Sequence, residues 1–311
     1  MPVIIAHRGA SGYLPEHTLP AKALAYAMGA DFLEQDVVAT RDDELVVLHD
    51  IHLDRVTDVA ERFPGRGRDD GRYYVRDFDL VEIRALKVTE RVDADGLPVY
   101  PDRFPAGRGR FRVHTLAEEL EFVTGLNRAT GGTTGVYPEI KRPAWHREQG
   151  IDLSGAMLEV LAAYGYEGPD DPVFVQCFDM EEVRRLRREL GCRMRLVQLV
   201  GDNSWGEAGT DYDWLSSEPG LAELARIADA IGPWVNKLYT PGADGSPPRS
   251  TGLVERAHSA GLLVHPYTFR VDDLAPGFGD FGDMVRYFCA DLGVDGLFTD
   301  FPDKVCELLS R

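Results

Sequence analysis

The chain has 311 residues, of which 44% are apolar, and a formal net charge of −18 at pH 7. This acidity opposes binding to nucleic acid or to an anionic membrane through a general basic surface. No apolar run approaches the roughly 20 residues of a membrane-spanning helix. We therefore expect a small-molecule partner, with no nucleic acid and no membrane span, and the composition leaves an oligomer open.

The chain enters an apolar run at once, at Val3-Ile4-Ile5, without a basic segment and a long apolar one before it. The sequence as written therefore predicts a cytoplasmic protein. A periplasmic or secreted protein is the alternative if Met1 replaces a removed leader. The four cysteines show no CxxC or zinc-ligand spacing, so we expect buried thiols, with a disulfide left open; they are Cys177, Cys192, Cys289 and Cys306.

Short apolar runs alternate with amphipathic stretches along the chain, as in proteins built from parallel βα units. The runs predict strands near residues 3–6, 32–37, 135–140, 173–177, 195–199, 229–236, 262–267 and 295–299. Helices are predicted at 18–28, 115–126, 152–164, 179–190, 220–228, 250–260 and 281–292. Eight such units favour a (β/α)8, or TIM, barrel that forms one domain over residues 1–311. The alternative is an open doubly wound sheet, which would usually carry a glycine-rich phosphate loop after its first strand.

One region departs from this alternation after the second predicted strand. Residues 38–48 have the pattern of a hairpin, with a polar turn at 41–44, and they return the chain to the mouth of the second strand. Residues 51–112 follow and are rich in Gly, Pro, Arg and Asp. We interpret these about 60 residues as an insertion over the carboxyl-terminal face of the barrel, where loops build the site.

Carboxylates stand at the ends of two predicted strands. Glu34 and Asp36 are two residues apart, so they point to the same face of their strand, and Glu139 ends the third strand. Carboxylates buried there without a partner would be costly. A hard divalent cation resolves this, Ca²⁺ first and Mg²⁺ as the alternative. The other interpretation is that each carboxylate pairs with an arginine or caps a loop.

Cationic side chains accompany these carboxylates. Arg8 follows the first strand, and Lys141 shares the face of Glu139. Both are candidates for holding a phosphate, which arginine binds in a bidentate manner. The alternative is that each forms a salt bridge with a nearby acid.

Histidines at the ends of predicted strands are the acid/base candidates. His7 and His49 converge on the carboxylates, and neighbouring charge can bring an imidazole into the working pH range. The other histidines lack such company and are expected to be structural, with His17 left open; they are His17, His52, His114, His146, His258 and His265. Side chains at strand ends that would line a pocket, or else pack at the rim, are Gln176, Phe178, Tyr267 and Phe269.

As a set, these motifs resemble the signature of the glycerophosphodiester phosphodiesterase family. They occur in the family's order over nearly the whole chain, as His7-Arg8-Gly9, Pro15-Glu16-x-Thr18, Glu34-x-Asp36, His49-Asp50, Glu139-x-Lys141, Gln176-Cys177-Phe178-Asp179, His265-Pro266-Tyr267-Thr268 and residues 295–303. The likeness is greatest to the bacterial periplasmic branch, which also carries the 53–58 segment and a histidine at the position of His17. That branch is exported, which leaves the compartment open.

The resemblance implies a TIM barrel with an insertion after the His49 motif, and hydrolysis of glycerophosphodiesters to sn-glycerol 3-phosphate and an alcohol. It places the protein in glycerol and lipid metabolism. The implied roles are a divalent cation, usually Ca²⁺, on Glu34, Asp36 and Glu139, an acid/base pair in His7 and His49, and phosphate binding by Arg8 and Lys141. Two other functions stay open at this point: a phospholipase C- or D-like enzyme acting on intact lipids, and a non-catalytic binder of glycerol phosphates or of a host protein.

Overall fold

The computed structural model of the chain describes residues 1–242 and 247–310. Its strands are β1 (Val3–Ala6), β2 (Phe32–Ala39), β3 (Leu45–Val47), β4 (Gly135–Ile140), β5 (Phe174–Cys177), β6 (Arg195–Val200), β7 (Ala230–Pro233), β8 (Tyr239–Thr240), β9 (Arg249–Ser250), β10 (Leu263–Val264) and β11 (Gly296–Thr299). Its α-helices are α1 (Leu19–Ala27), α2 (Val59–Arg62), α3 (Leu80–Ala85), α4 (Leu116–Thr130), α5 (Pro143–Glu148), α6 (Leu153–Ala163), α7 (Met180–Arg188), α8 (Tyr212–Leu215), α9 (Glu218–Leu224), α10 (Leu253–Ser259), α11 (Phe281–Arg286) and α12 (Pro302–Leu308). Within the described ranges, none of the helices has the length and apolar content needed to cross a bilayer.

The parallel strands form a barrel. Their hydrogen-bonded order is β10-β7-β6-β5-β4-β2-β1-β11. The two ends of this order meet, because the Asp295 backbone N–H donates to the Val264 carbonyl at 3.0 Å and the Phe298 N–H donates to the Pro266 carbonyl at 3.0 Å. The predicted TIM barrel is therefore confirmed, and the open sheet is excluded.

Several elements differ in extent from their predictions. The strand predicted at 229–236 is only Ala230–Pro233, and the one predicted at 262–267 is only Leu263–Val264. In both places a proline removes one donor from the ladder, since Pro233 and Pro266 have no backbone N–H. Beyond them the pairing continues only as an isolated parallel bridge between Trp234 and Tyr267. The helix predicted at 281–292 begins as α11 and continues as a π-helical segment over Tyr287–Asp291.

The hairpin after β2 brings His49 to the barrel mouth. Strand β3 pairs antiparallel with β2, with Val37 opposite Val47. Asp43 has a φ of 63° and turns the chain between the two strands. Beyond β3, the Leu48 N–H donates to the Asp36 carbonyl at 2.9 Å, so the next residue stands beside the predicted carboxylates.

Packing divides the barrel interior into an apolar floor and a polar mouth. Inward-facing side chains at the amino-terminal half form a closed cluster, and they are Ile5, Phe32, Tyr137, Phe174, Val197, Ala230 and Phe298. The aromatic rings of this cluster contact one another edge to face or stacked, at centroid distances from 5.0 to 5.9 Å. Because this floor is filled, a ligand can enter only from the carboxyl-terminal mouth.

Residues 51–112 cover one side of that mouth. Their apolar side chains pack with the outer face of the hairpin in a separate cluster that includes Val46, Leu53, Phe78 and Ile83. The short helices α2 and α3 lie within this segment. The four cysteines are free thiols; Cys177, Cys192 and Cys306 are buried, and Cys289 is half-buried.

A glycine at the start of the chain sets how closely α1 approaches the end of β1. Gly9 has a φ of 87°, and a Cβ there would lie 2.9 Å from the backbone carbon of Ala21. Gly150 has the same φ, but a Cβ there would meet no atom within 4 Å. Substitution at Gly150 would therefore introduce backbone strain alone, whereas substitution at Gly9 would introduce the same strain together with crowding.

We expect Gly9→Ala to lower the free energy of unfolding by more than Gly150→Ala. The left-handed backbone should cost each variant about 1–2 kcal/mol, and crowding should add about 1–3 kcal/mol at Gly9 alone. Urea unfolding followed by circular dichroism measures both. Equal losses of unfolding free energy in the two variants would show that α1 can shift away from position 9 at no cost.

Candidate active site

Strand register brings the predicted carboxylates together. In the pairing of β2 with β4, Asp36 lies opposite Glu139, and in the pairing of β4 with β5, Glu139 lies opposite Gln176. Glu34 and Asp36 are on the same face of β2, as predicted. All three acids are buried, with exposed fractions of 2% for Glu34, 1% for Asp36 and 5% for Glu139. The barrel mouth therefore holds a compact, water-poor cluster of carboxylates.

The two predicted phosphate-binding residues lie directly against this cluster. Lys141 Nζ is 2.8 Å from Glu139 Oε1 and 3.6 Å from Asp36 Oδ1. The Arg8 backbone N–H donates to Glu34 Oε2 at 2.5 Å, and its Nε is 3.6 Å from Asp36 Oδ2. Arg8 reaches this position because its φ of 59° turns the chain across the end of β1. The salt bridges considered as the alternative interpretation are therefore present. Arg8 also lines the cavity at the mouth, whereas Lys141 is not one of its lining residues.

The electrostatics show that these cations do not neutralise the cluster. Burial raises the pKa of Glu34 and of Glu139 well above the usual value, and the negative charge of Asp36 raises both further. Burial also acts to raise the pKa of Asp36, but Lys141, His49 and His17 outweigh it and hold that pKa well below its usual range. Asp36 Oδ1 is buried without a hydrogen-bond donor. This donor set of hard oxygens fits a divalent cation such as Ca²⁺.

His17, which the sequence left open, belongs to this cluster. Its Nε2 lies 2.6 Å from Asp36 Oδ2, and the ligand atoms of His17, Glu34 and Asp36 all lie within 4.8 Å of one another. Because Asp36 is ionised and can only accept, His17 donates from Nε2 and fixes the orientation of that carboxylate. The position of His17 within the Pro15-Glu16-x-Thr18 element was the feature of the sequence that could have indicated this role.

The two predicted acid/base histidines have matching partners. His7 Nδ1 is 2.6 Å from Asp300 Oδ1, and His49 Nδ1 is 2.6 Å from Asp50 Oδ1. Both carboxyl groups have a pKa held well below the usual range: burial acts to raise it, but nearby arginine and histidine charges outweigh that effect. Each carboxylate therefore accepts a proton-bearing Nδ1, which leaves Nε2 of each imidazole free to accept a proton.

Burial keeps both imidazoles neutral. It lowers the pKa of His7 to about 4, with a further contribution from Arg8, and it lowers the pKa of His49 in the same way. At neutral pH both side chains are therefore proton acceptors at Nε2.

Arginines from residues 51–112 hold the two histidine partners. Arg91 donates to Asp50 at 2.7 Å and to both carboxylate oxygens of Glu16. Arg103 donates to Asp300 at 2.8 Å. The covering segment thus fixes the groups that orient the imidazoles. Sequence reasoning quoted Glu16, Asp50 and Asp300 as motif residues but assigned them no role.

A buried ion pair beneath the cluster was missed. Lys22, on α1, is fully buried; its Nζ donates to the Glu34 carbonyl and lies 2.9 Å from Glu119 Oε1. Glu119 also accepts from His114 at 2.6 Å and from Gln35 at 2.7 Å. This network fixes β2 behind the carboxylates. In the sequence, this buried pair was indicated only by a lysine that stands between alanines on the apolar face of the predicted helix.

The cluster opens into a cavity of about 470 Å³. It is lined by His7, Arg8, His49 and the three carboxylates, and by the predicted pocket residues Gln176, Phe178 and Tyr267. Phe269 instead is fully buried and packs on Phe288 at a centroid distance of 5.1 Å, so packing is its role. Lining residues that sequence reasoning missed are Trp205, Trp234, Asn236, Arg270 and Leu274.

Comparisons with known proteins identify the family of this chain. Residues 7–304 match the glycerophosphoryl diester phosphodiesterase family. A glycerophosphodiester phosphodiesterase of Haemophilus influenzae is 44% identical, over 99% of this chain and 89% of its own length. A Silicibacter pomeroyi crystal structure, which its name assigns to the same family, superposes with a TM-score of 0.75 at 27% identity, covering 100% of this chain and 93% of that one. An Oleispira antarctica phosphodiesterase, in complex with the product sn-glycerol-3-phosphate, superposes with a TM-score of 0.66 at 19% identity, covering 100% and 98%.

We expect Lys22→Met to destabilise the protein by about 3–5 kcal/mol, because it leaves Glu119 buried without its cation. The double variant Lys22→Met, Glu119→Gln should recover part of this loss. Burial alone would raise the pKa of Glu119, but Lys22 and His114 lower it to about 2. In the unsubstituted protein this carboxylate therefore stabilises the fold above its ordinary pKa of 4.5, and the contribution is lost as the pH falls towards 2.

Urea unfolding at pH 7 and at pH 3.5 measures both effects. The stability lost between these two values should be smaller in Lys22→Met than in the unsubstituted protein. A single variant as stable as its parent would contradict this assignment of the buried pair.

Proposed function

This chain belongs to the glycerophosphoryl diester phosphodiesterase family and is a glycerophosphodiester phosphodiesterase, and we propose here how its residues bind and hydrolyse the diester. The proposed products are sn-glycerol 3-phosphate and an alcohol. The observation that carries the proposal is the meeting of two imidazoles, each with a free Nε2, and three buried carboxylates around one cavity.

A divalent cation would be held by Glu34, Asp36 and Glu139, with Ca²⁺ as the first choice and Mg²⁺ as the alternative. The raised pKa values of Glu34 and Glu139 support this, since a cation would replace the protons that these buried groups otherwise retain. Bound there, such an ion supplies positive charge to the phosphate oxygens as negative charge grows in the transition state.

Arg8 and Lys141 would bind the phosphate. Both are already fixed at the edge of the carboxylate cluster, so neither loses much side-chain freedom when the substrate enters. The Arg8 guanidinium is held on its other side by Glu16 at 2.9 Å. This positions a charged fork beside the imidazoles, where a phosphate bridging them would lie.

The histidines would transfer the protons. One imidazole accepts a proton at Nε2 from the nucleophile, which is either water or the glycerol 2-hydroxyl. Water would give glycerol 3-phosphate directly as the bond to the alcohol breaks. The 2-hydroxyl would instead give a cyclic phosphate, which water would then open to glycerol 3-phosphate. The carboxylate on its Nδ1 stabilises the imidazolium that forms. The other histidine would take up a proton at Nε2 once the anionic phosphate lies beside it, and would donate that proton to the oxygen of the departing alcohol. The near-symmetric pairs His7–Asp300 and His49–Asp50 leave the order of the two roles open.

The glycerol branch would occupy the main cavity. Gln176 and Asn236 line this cavity, and their side-chain oxygens are buried acceptors without donors. A small rotation of these side chains would let glycerol hydroxyls supply the donors. Phe178 and Tyr267 pack edge to face at a centroid distance of 6.0 Å and would cover the carbon skeleton.

We expect His7→Ala and His49→Ala each to lower kcat by about 10²- to 10⁴-fold, because each removes one proton-transfer group. His258→Ala is the matched control: His258 also pairs with a carboxylate, Asp295 at 2.9 Å, but it lies far from the cavity in an exposed position. Enzyme-coupled detection of glycerol 3-phosphate from glycerophosphocholine measures turnover. Near-normal turnover in either active-site variant would refute the acid/base assignment.

Metal dependence is tested separately from the histidines. Treatment with EDTA should abolish turnover, and added Ca²⁺ should restore it and raise Tm, because the ion binds the folded state alone. Asp36→Asn should weaken the Ca²⁺-dependent rise in Tm, with Asp273→Asn, at the cavity edge, as the control. Turnover that persists after exhaustive chelation would contradict a cation on these carboxylates.

A further inference from the structure

A second cavity of about 190 Å³ lies beside the imidazoles, between the barrel mouth and residues 51–112. It shares His7, Arg8, His49 and Arg270 with the main cavity. A phosphate placed beside both imidazoles would thus have one cavity on each side. Since a phosphodiester has two ester branches, the glycerol branch in the main cavity leaves the second cavity to the other branch.

The arginines around this second cavity already have carboxylate partners. Arg91 pairs with Glu16 and Asp50, and Arg103 pairs bidentately with Asp272 and also with Asp300. Arg270 Nε is 2.7 Å from Asp300 Oδ2. Their positive charge is therefore largely offset, and the cavity offers little attraction to a second anion.

Glu90 is the charged lining residue that this network does not include. It is only 3% exposed, and its Oε2 is buried without a hydrogen-bond donor. Within residues 1–242 and 247–310 no lysine, arginine or histidine side chain forms a salt bridge with it. Its carboxylate accepts from the Arg91 backbone N–H, and the charge of Arg103 partly opposes the effect of burial on its pKa. Burial raises the pKa of Glu90 to about 7, and the negative charge of Glu16 raises it further. A cationic group in the cavity would supply both the missing donor and the missing charge.

We propose that the second cavity receives the departing alcohol and that Glu90 selects headgroups with a primary ammonium, as in glycerophosphoethanolamine. A primary ammonium fits better than a quaternary one, because only the former can donate a hydrogen bond to the Glu90 carboxylate. The cavity volume equals that of several water molecules at about 30 Å³ each, which admits a small amino alcohol. This inference rests on the proposed function and adds the headgroup class to it.

The test compares kcat/KM for glycerophosphoethanolamine and for the uncharged-headgroup substrate glycerophosphoglycerol, in the parent protein and in Glu90→Gln. The variant should lose about ten- to a hundredfold on the ethanolamine ester, the range expected for one charge-assisted hydrogen bond. On glycerophosphoglycerol it should change little. Glu44→Gln, at the exposed hairpin turn, is the matched control and should change neither value.

Equal losses on the two esters, or no loss on either, would overturn the assignment of Glu90. A second measurement on the parent protein needs no variant: free ethanolamine should inhibit hydrolysis of glycerophosphoglycerol, and ethylene glycol should inhibit far less. Equal inhibition by the two would also overturn it. If the parent protein released glycerol 3-phosphate from neither ester, the proposed hydrolysis would fail, which is a different outcome from a loss of headgroup preference.

Discussion

The burial of three carboxylates at one barrel mouth is the constraint on which the rest of this structure depends. Glu34, Asp36 and Glu139 are brought side by side by strand register, in a region that excludes water. Like charges at such distances cannot all stay ionised without compensation. Lys141 and Arg8 supply part of it from the front, and the proposed divalent cation would supply the remainder.

Residues 51–112 do more than cover the site. Through Arg91 and Arg103 they fix Asp50 and Asp300, which in turn fix the tautomers of the two imidazoles. The imidazoles themselves come from the ends of β1 and of the hairpin after β2. The geometry of the proposed proton transfer therefore depends on contacts between this segment and the barrel. A disturbance of these contacts would shift the two imidazoles without changing either of them.

The two cavities differ in the chemistry of their lining residues. The larger one contains unpartnered amide oxygens and aromatic walls, which suit a polyol with a short carbon skeleton. The smaller one is lined by Glu90, whose Oε2 has no hydrogen-bond donor, among arginines that are already paired. Both meet at His7, Arg8 and His49, so the proposed bond cleavage lies at their junction. In this proposal the chemistry of the walls, more than their shape, would distinguish the two ends of the substrate.

The sequence by itself determined the alternation of strands and helices, the hairpin, and the shared face of Glu34 and Asp36, because these follow from local periodicity. It also placed His7, His49, Glu139 and Lys141 at strand ends. Only the tertiary structure decided which side chains meet. His7 finds Asp300 across 293 residues because the barrel closes between β1 and β11, and Lys22, Glu90 and Arg103 acquire their surroundings only through packing. Local pattern fixes the direction of a side chain along its own strand, whereas its partner depends on register and closure between segments distant in the chain.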